Sequence, residues 1–156
     1  MVVQGPERTE DVSYAIMSYV GVGPLRLGMT RADIHRLLGE EATSFRRAPT
    51  IIPDEIPQDR YANRGIFIDY SPLGLCRSIE FAGPAAPSWR GEPLLGRPYR
   101  EVRALFTVWD PALKEDGAGF TSLELGIGVY APVAKDHPDD PVEGVIVFEK
   151  GYYQGN

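Results

Sequence analysis

The chain has 156 residues, of which 43% are hydrophobic, 10% aromatic and 24% charged. This composition indicates a soluble globular protein with a real core, and it excludes collagen-like, disordered and membrane-spanning chains. The net charge is −6, and the acidic excess is confined to residues 110–156, which hold 9 acidic residues against 3 lysines. Because phosphate backbones repel such a surface, we expect no nucleic-acid partner.

The first predicted elements are a strand and a short helix. Residues 13–20 mix aromatic and β-branched side chains before a glycine-containing turn, which is typical of a strand. Thr30 is a favourable helix N-cap and Gly39 a favourable helix end. The apolar residues between them have the spacing of one helix face: Ile34, Leu37 and Leu38. A helix this short is stable only when it docks on a sheet.

The middle of the chain is predicted to hold a weak strand and a hairpin. Polar, proline-containing sequence from 40 to 63 favours one short edge strand at 42–47, followed by a loop. The apolar segments 65–70 and 77–81 flank a turn-rich connection, which indicates a β-hairpin. Cys76, the only cysteine, has no partner for an intramolecular disulfide, and we expect a small buried side chain.

The second half repeats the order of these elements. Residues 94–106 match the first helix region at an offset of 68, with Pro98 at the position of Thr30. The matched apolar pairs are Ile34 with Val102, Leu37 with Leu105, and Leu38 with Phe106. Two later landmarks are Tyr70-Ser71-Pro72 with Tyr130-Ala131-Pro132, and Ile79-Glu80-Phe81 with Ile146-Val147-Phe148. We predict one domain, 1–156, with pseudo-repeats at about 21–82 and 91–150 and a Pro/Gly-rich connector at 83–90.

The fold class follows from the succession of strands. Apolar side chains fall at every second position between residues 120 and 130, which predicts a strand with one buried face. Strands that follow one another without intervening helices argue against a parallel βαβ fold. We therefore expect an α+β fold, in which two tandem helix-plus-antiparallel-sheet units form one compact domain.

Residues 23–39, GPLRLGMTRADIHRLLG, resemble the opening of units in the BamE-like and β-lactamase-inhibitor-like superfamily. In that superfamily an LGMT turn leads into a helix that ends at LLG, and an antiparallel sheet follows. The duplicated order is similar to the tandem form of β-lactamase inhibitor proteins. The resemblance implies a non-enzymatic binder that presents a sheet face to another protein. The chain lacks a lipoprotein signal and disulfide-forming cysteines, so a cytoplasmic, immunity-protein-like member fits best.

The sequence contains no recognised catalytic or metal-binding motif, and we predict no catalytic residue, metal or cofactor. His35 is expected to be a solvated helix residue. His137 lies in a proline-containing loop whose spacing matches no established metal site. The carboxylates in or beside strands are assigned to the solvent face, although two of them on neighbouring strands would suit a glycosidase-type pair. They are Asp69, Glu80, Glu124 and Glu143.

The residues that best fit a partner-binding role are acidic or aromatic. Acidic residues steer a basic partner, and Trp and Tyr are enriched at binding hot spots. The candidates are Asp136, Asp139, Asp140, Glu143, Tyr152, Tyr153 and Trp109. The simpler alternatives are a solvated acidic loop, and Trp89 and Trp109 packed beneath loops.

The first functional hypothesis is a cytoplasmic bacterial protein that binds and blocks a basic toxin or enzyme, as an immunity or inhibitor protein. No membrane association is expected. The alternative is an enzyme or small-molecule-binding protein that uses a cleft between the two units, with Asp69, Glu80 or a histidine as the working group. A third hypothesis is an assembly factor whose sheet edge pairs with a partner strand.

Overall fold

The computed structural model describes residues 14–39, 43–45 and 56–153, with residues 43–45 described by their backbone alone. The helices in these residues are α1 (Arg31–Leu38), α2 (Tyr99–Trp109) and a 3₁₀-helix (Ala62–Arg64). The strands before the second helix are β1 (Tyr14–Met17), β2 (Gly21–Val22), β3 (Leu25–Arg26), β4 (Thr43–Phe45), β5 (Gln58–Tyr61), β6 (Ile66–Tyr70), β7 (Cys76–Phe81), β8 (Pro87–Trp89) and β9 (Glu92–Pro93). The strands after it are β10 (Lys114–Asp116), β11 (Gly119–Ser122), β12 (Ile127–Tyr130) and β13 (Gly144–Phe148).

The strands form two sheets. The smaller sheet has the order β3-β2-β1-β8-β9, and the larger has the order β10-β11-β12-β13-β7-β6-β5-β4. All neighbouring strands of the larger sheet are antiparallel, whereas β1 and β8 in the smaller sheet are parallel. The expected α+β class is confirmed, with most of the regular structure in strands.

The larger sheet consists of two meanders of four strands, each preceded by a helix. The meander β4 to β7 follows α1, the meander β10 to β13 follows α2, and the two join where β7 pairs with β13. The segment before each helix exchanges two backbone hydrogen bonds with a residue at or just before the start of the last strand of its meander, at 2.8 and 2.7 Å in the first half and 2.9 and 2.8 Å in the second. These bonds join Gly28 and Met29 to Cys76, and Gly96 and Arg97 to Val142.

Helix α1 begins and ends as its sequence predicts, but Leu37, which was predicted on its apolar face, is 46% exposed. The Thr30 side chain accepts a hydrogen bond from the backbone N–H of Asp33, and Gly39 ends α1 with a φ of 69°. Helix α2 has Pro98 at the N-cap position. The matched positions of the two helices are buried alike: Ile34 and Leu38 in α1, and Val102 and Phe106 in α2. The predicted hairpin is confirmed as β6 and β7, and Cys76 is buried as expected.

The prediction of a loop that extends to residue 63 is wrong at residues 58–61, because these residues form β5. Asp59 and Tyr61 alternate into the core on this strand, and both are fully or almost fully buried. Because Asp59 occupies a core position where an apolar residue is expected, the sequence of β5 lacks the apolar alternation that predicts a strand. The weak strand predicted at 42–47 is present as β4, and its flanking positions lie outside the described residues.

The segment 83–90, which is predicted as a Pro/Gly-rich connector, contains the short strand β8. Pro87 is the first residue of β8, a position where a strand tolerates the missing N–H. Arg90 and Gly91 have φ values of 49° and 85°, which close a tight hairpin from β8 to β9. Trp89 at the end of β8 is buried in the core.

The alternating segment 120–130, which is predicted to belong to a sheet, forms a hairpin of β11 and β12. Gly126 turns the chain with a φ of 71°, and the Ser122 hydroxyl accepts a hydrogen bond from the backbone N–H of Leu125. The apolar alternation therefore crosses a turn. As a result, Leu123 is an exposed hydrophobic residue.

In the two later segment pairs of the predicted repeat, the matched residues lie on opposite faces of the sheet. Ile79 pairs with Val147 in the core, whereas Ile146 points to the other face. Tyr70 is likewise buried, whereas Tyr130 is exposed. A β-bulge at Tyr70 changes the spacing, and a shift of one residue along a strand reverses the side of the sheet.

One face of the larger sheet is covered by α2 and the smaller sheet. Phe106 of α2 packs on Phe120 of the sheet with ring centroids 5.4 Å apart. Tyr14 of the smaller sheet packs on Phe81 at 5.9 Å, and cross-strand pairing places Phe81 and Phe120 on the same face. We call the opposite face the open face.

Candidate protein-binding face

The open face carries one straight row of directly opposed residues from β5 to β10. The row is Arg60, Phe67, Glu80, Ile146, Gly128, Thr121 and Lys114. The sheet pleat turns the neighbouring residues of each strand toward the core, so the open face is built from alternate positions. It combines large apolar, acidic and basic side chains with one buried glycine.

A shallow groove of about 160 Å³ lies on the open face across β11, β12 and β13. Its floor includes Gly119, Gly128 and Gly144, one from each strand, all at outward-facing positions. Because none of them carries a side chain, the backbone itself forms the floor. We call this feature the glycine groove.

The walls of the glycine groove are aromatic, aliphatic and acidic. Tyr130 and Tyr153 line it with 51% and 47% of their surfaces exposed, and Ile146 lies between the glycine positions. The charged side chains that line it are Glu80 and Asp116. An exposed aromatic surface beside like-signed charge is typical of a site that recognises an oppositely charged protein.

The C-terminal turn positions Tyr153. Tyr152 stacks on Phe148 with ring centroids 5.6 Å apart, and Tyr153 meets Phe148 edge to face at 5.0 Å. Burial, and then the nearby Tyr152 and Glu80, raise the pKa of the Tyr153 hydroxyl. The phenol is therefore protonated at neutral pH and retains a hydrogen-bond donor at the edge of the groove.

The structure separates the sequence-predicted partner-binding residues into distinct regions. Tyr152 and Tyr153 belong to the open face. Glu143 is exposed next to it, and its backbone N–H donates to the carbonyl of Tyr130. Trp109 lies at the end of α2, 44% exposed, with the Arg90 guanidinium 3.8 Å from its ring centroid.

The acidic loop lies at the other end of α2. Asp136, Asp139 and Asp140 are exposed, and Asp139 pairs with Arg100 at 2.9 Å. The carbonyl of Asp140 accepts a hydrogen bond from the backbone N–H of Tyr99. An α-helix of 11 residues spans about 16 Å, so the loop and Trp109 lie at opposite ends of α2.

Sequence analysis missed a buried polar cluster around Asp59. Arg31 donates two hydrogen bonds to the Asp59 carboxylate, from Nε and Nη2, at 2.8 and 2.7 Å. Nε2 of His35 and the hydroxyl of Tyr70 each lie 2.8 Å from Oδ2 of Asp59. His35 is exposed on α1 as expected, but its side chain also links α1 to the fully buried Asp59 carboxylate.

Burial raises the pKa of Asp59, but the hydrogen bonds from Arg31, His35 and Tyr70 outweigh it and lower that pKa below its ordinary value. Burial and the bond to Asp59 also raise the pKa of Tyr70 strongly, so the phenol stays protonated. Each Asp59 oxygen is satisfied within the protein. The cluster fastens α1 to the sheet, and the helix spacing of Arg31 and His35 places both side chains on one side of α1 without indicating their partner.

The second helix makes a similar attachment. Tyr99 donates from its hydroxyl to Glu115 at 2.8 Å, and Arg103 contacts the same oxygen at 2.7 Å. Tyr99 and Arg103 stand 68 residues after Arg31 and His35, the offset of the predicted repeat. Both helices therefore use two side chains one turn apart to hold a carboxylate of their own meander.

The other acidic candidates and His137 do not come together to form a common site. Asp69 was predicted on the solvent face, but it is buried and bonded to Nε of Arg77 at 2.8 Å. Glu80, Glu124 and His137 are exposed at separate places. Within the described residues, no group of three or more His, Cys, Asp and Glu side chains is arranged to hold a metal ion.

Comparisons with known proteins give no match, whether to a family model, a curated protein or a solved structure. Among the described parts of the chain, no helix has the length and apolar character needed to cross a membrane.

Proposed function

We propose that this chain is a non-enzymatic protein-binding module, an immunity or inhibitor protein that binds and blocks a basic toxin or enzyme. The observation that carries the proposal is the open face, where Tyr130 and Tyr153 border a groove whose charged lining side chains are acidic. Exposed tyrosines bury a large area at low entropic cost, and acidic side chains select a basic partner.

The proposal includes two tandem units within one domain, and a place in the BamE-like and β-lactamase-inhibitor-like superfamily. Its support is the mirrored order of the two meanders about β7 and β13, and the matching hydrogen bonds before the two helices. Duplication of a helix-plus-sheet unit generates a sheet wide enough for a protein partner. In this arrangement the second unit supplies the glycine groove.

The acidic charge of the chain supports a basic partner and suggests how that partner is first attracted. Residues 110–156 contain 9 of the 22 acidic residues but only 3 of the 16 basic ones. The exposed carboxylates Asp136, Asp139 and Asp140 lie in this region and attract a basic protein from a distance. We propose that they accelerate encounter, while the open face holds the partner. A cytoplasmic bacterial protein is the setting that we propose for this activity.

The function is tested by affinity capture of the tagged chain from its native cells at low and moderate salt, with mass spectrometry and activity assays of what co-purifies. We expect one stoichiometric basic protein whose toxic or enzymatic activity is blocked in the complex. The rate of association should fall with added salt, because screening weakens steering. Isolation of the chain alone, or a partner whose activity is unaffected, would contradict the proposal.

A further inference from the structure

We propose that the glycine groove receives an extended basic segment of the protein partner, with an arginine side chain over the floor formed by Gly119, Gly128 and Gly144. This inference rests on the proposed function and specifies the chemistry of the partner at that site. The arginine would be a second contact on the open face, in addition to the exposed Tyr130 and Tyr153.

The size of the groove favours a side chain over a free small molecule. Its volume of about 160 Å³ is below the roughly 300–1,000 Å³ of small-molecule pockets. It is also shallow and lies on a sheet face, where a segment of another protein has room on both sides. The dimensions therefore favour side chains of a protein segment over a free small molecule.

The walls of the groove favour a planar group. Gly128 faces Ile146 across the strands, and a β-carbon at position 128 would lie 2.8 Å from Cγ2 of Ile146. The Ile146 side chain therefore takes the space above Gly128, and the three glycines are buried at the bottom of the groove. A flat guanidinium can stack on the exposed Tyr130 and Tyr153 side chains above them.

The charges favour a segment with more than one cation. Glu80 projects from β7 and Asp116 from β10, at opposite ends of the groove lining. Four strand spacings separate these strands, a backbone distance of about 19 Å at 4.8 Å per spacing. Two arginines on alternate residues of an extended segment point to the same side and extend toward the two carboxylates.

The test is a titration of the full ¹⁵N-labelled chain with acetyl-Arg-Gly-Arg-amide, followed by NMR. The matched control peptide replaces both arginines by citrulline, which keeps the shape and removes the charge. We expect saturable shifts at the amides of Gly119, Gly128 and Gly144, with half-saturation on the order of millimolar. The citrulline peptide should bind at least about fivefold more weakly.

Charge-neutralising variants locate the site on the chain. Glu80→Gln and Asp116→Asn should each weaken binding of the arginine peptide by about threefold to fivefold. Glu124→Gln removes an exposed carboxylate elsewhere and should leave binding unchanged. Equal binding of the citrulline peptide to the wild-type chain, or shifts confined to the acidic loop at 135–140, would overturn the inference without reliance on any variant.

The inference and the proposed function fail in different ways. If a captured partner is inhibited but the arginine peptide does not bind in the groove, the inference is overturned and the binding function stands. If the peptide binds with the expected charge dependence while capture yields no inhibited partner, the groove chemistry is supported and the proposed function is contradicted.

Discussion

Gly128 and Ile146 are cross-strand partners on the open face, and they leave no room between them for a β-carbon at position 128. Glycine contributes no side-chain packing of its own inside a sheet. Here the Ile146 side chain covers Gly128, beside a groove bordered by Tyr130 and Tyr153. The glycine therefore makes room for Ile146 on the face that we propose for recognition.

Gly119 is required by the sheet itself. A β-carbon at this residue would lie 1.9 Å from the carbonyl oxygen of Val129, and its φ of 140° is unfavourable for other residues. We expect Gly119→Ala to lower the free energy of unfolding by at least about 3 kcal/mol. Gly117→Ala, in the adjoining turn with open space around it, is the control. Urea denaturation measures both, and equal stability of the two variants would refute this account.

Asp59 is expected to be a major contributor to stability. Asp59→Ala leaves Arg31 and Tyr70 without their bonds to the carboxylate, at an expected cost of about 3–5 kcal/mol. Asp136→Ala, at an exposed loop position, should change stability by no more than about 0.5 kcal/mol. Thermal and urea unfolding of the two variants provide the comparison. A loss at Asp59 no greater than at Asp136 would contradict the role assigned to the cluster.

The same carboxylate predicts a pH dependence. The pKa of Asp59 is lower in the folded chain than in the unfolded one, so its contribution is complete above the unfolded value of about 3.9. That contribution disappears as the pH falls through the folded pKa. The stability difference between wild type and Asp59→Asn should therefore shrink as the pH is lowered from 6 toward 2. A difference that stays constant, as measured by urea unfolding across this range, would show that ionisation of Asp59 contributes nothing.

Cys76 is expected to be chemically inert in the folded chain. Burial raises the pKa of its thiol to about 12, and the side chain is fully buried. Since the thiolate is the reactive form, alkylation by iodoacetamide at pH 8 should be at least about 100-fold slower in the native chain than in urea. Mass spectrometry follows the reaction. Rapid native labelling would show that β7 opens at its start.

Local signals predicted the parts of the fold that depend on neighbouring residues. Thr30 and Gly39 mark the ends of α1, and the offset of 68 identifies the start of α2. The bonds around Asp59 join residues 28 and 24 positions apart, so no local pattern reveals them. Without these partners, the charge of Asp59 is typical of a loop, and β5 was missed for that reason.

The open face was predictable only in general terms. Alternation predicts that one face of the sheet is free, and Tyr152 and Tyr153 were identified as candidates for binding. The groove depends on glycines from three strands, and each glycine by itself resembles a turn signal in the sequence. Only the strand register brings Gly119 and Gly144 beside Tyr130. Cross-strand register is a tertiary property that sequence spacing does not specify.

The most direct test of the central claim is the affinity of the captured partner for two matched lysine variants, measured by isothermal titration calorimetry. Tyr130→Lys places a positive charge on the open face, and Leu73→Lys places one on a turn residue that is 86% exposed. We predict that Tyr130→Lys weakens binding at least about tenfold, while Leu73→Lys binds like the wild type. Wild-type affinity of Tyr130→Lys, or an equal loss in both variants, would contradict binding through the open face.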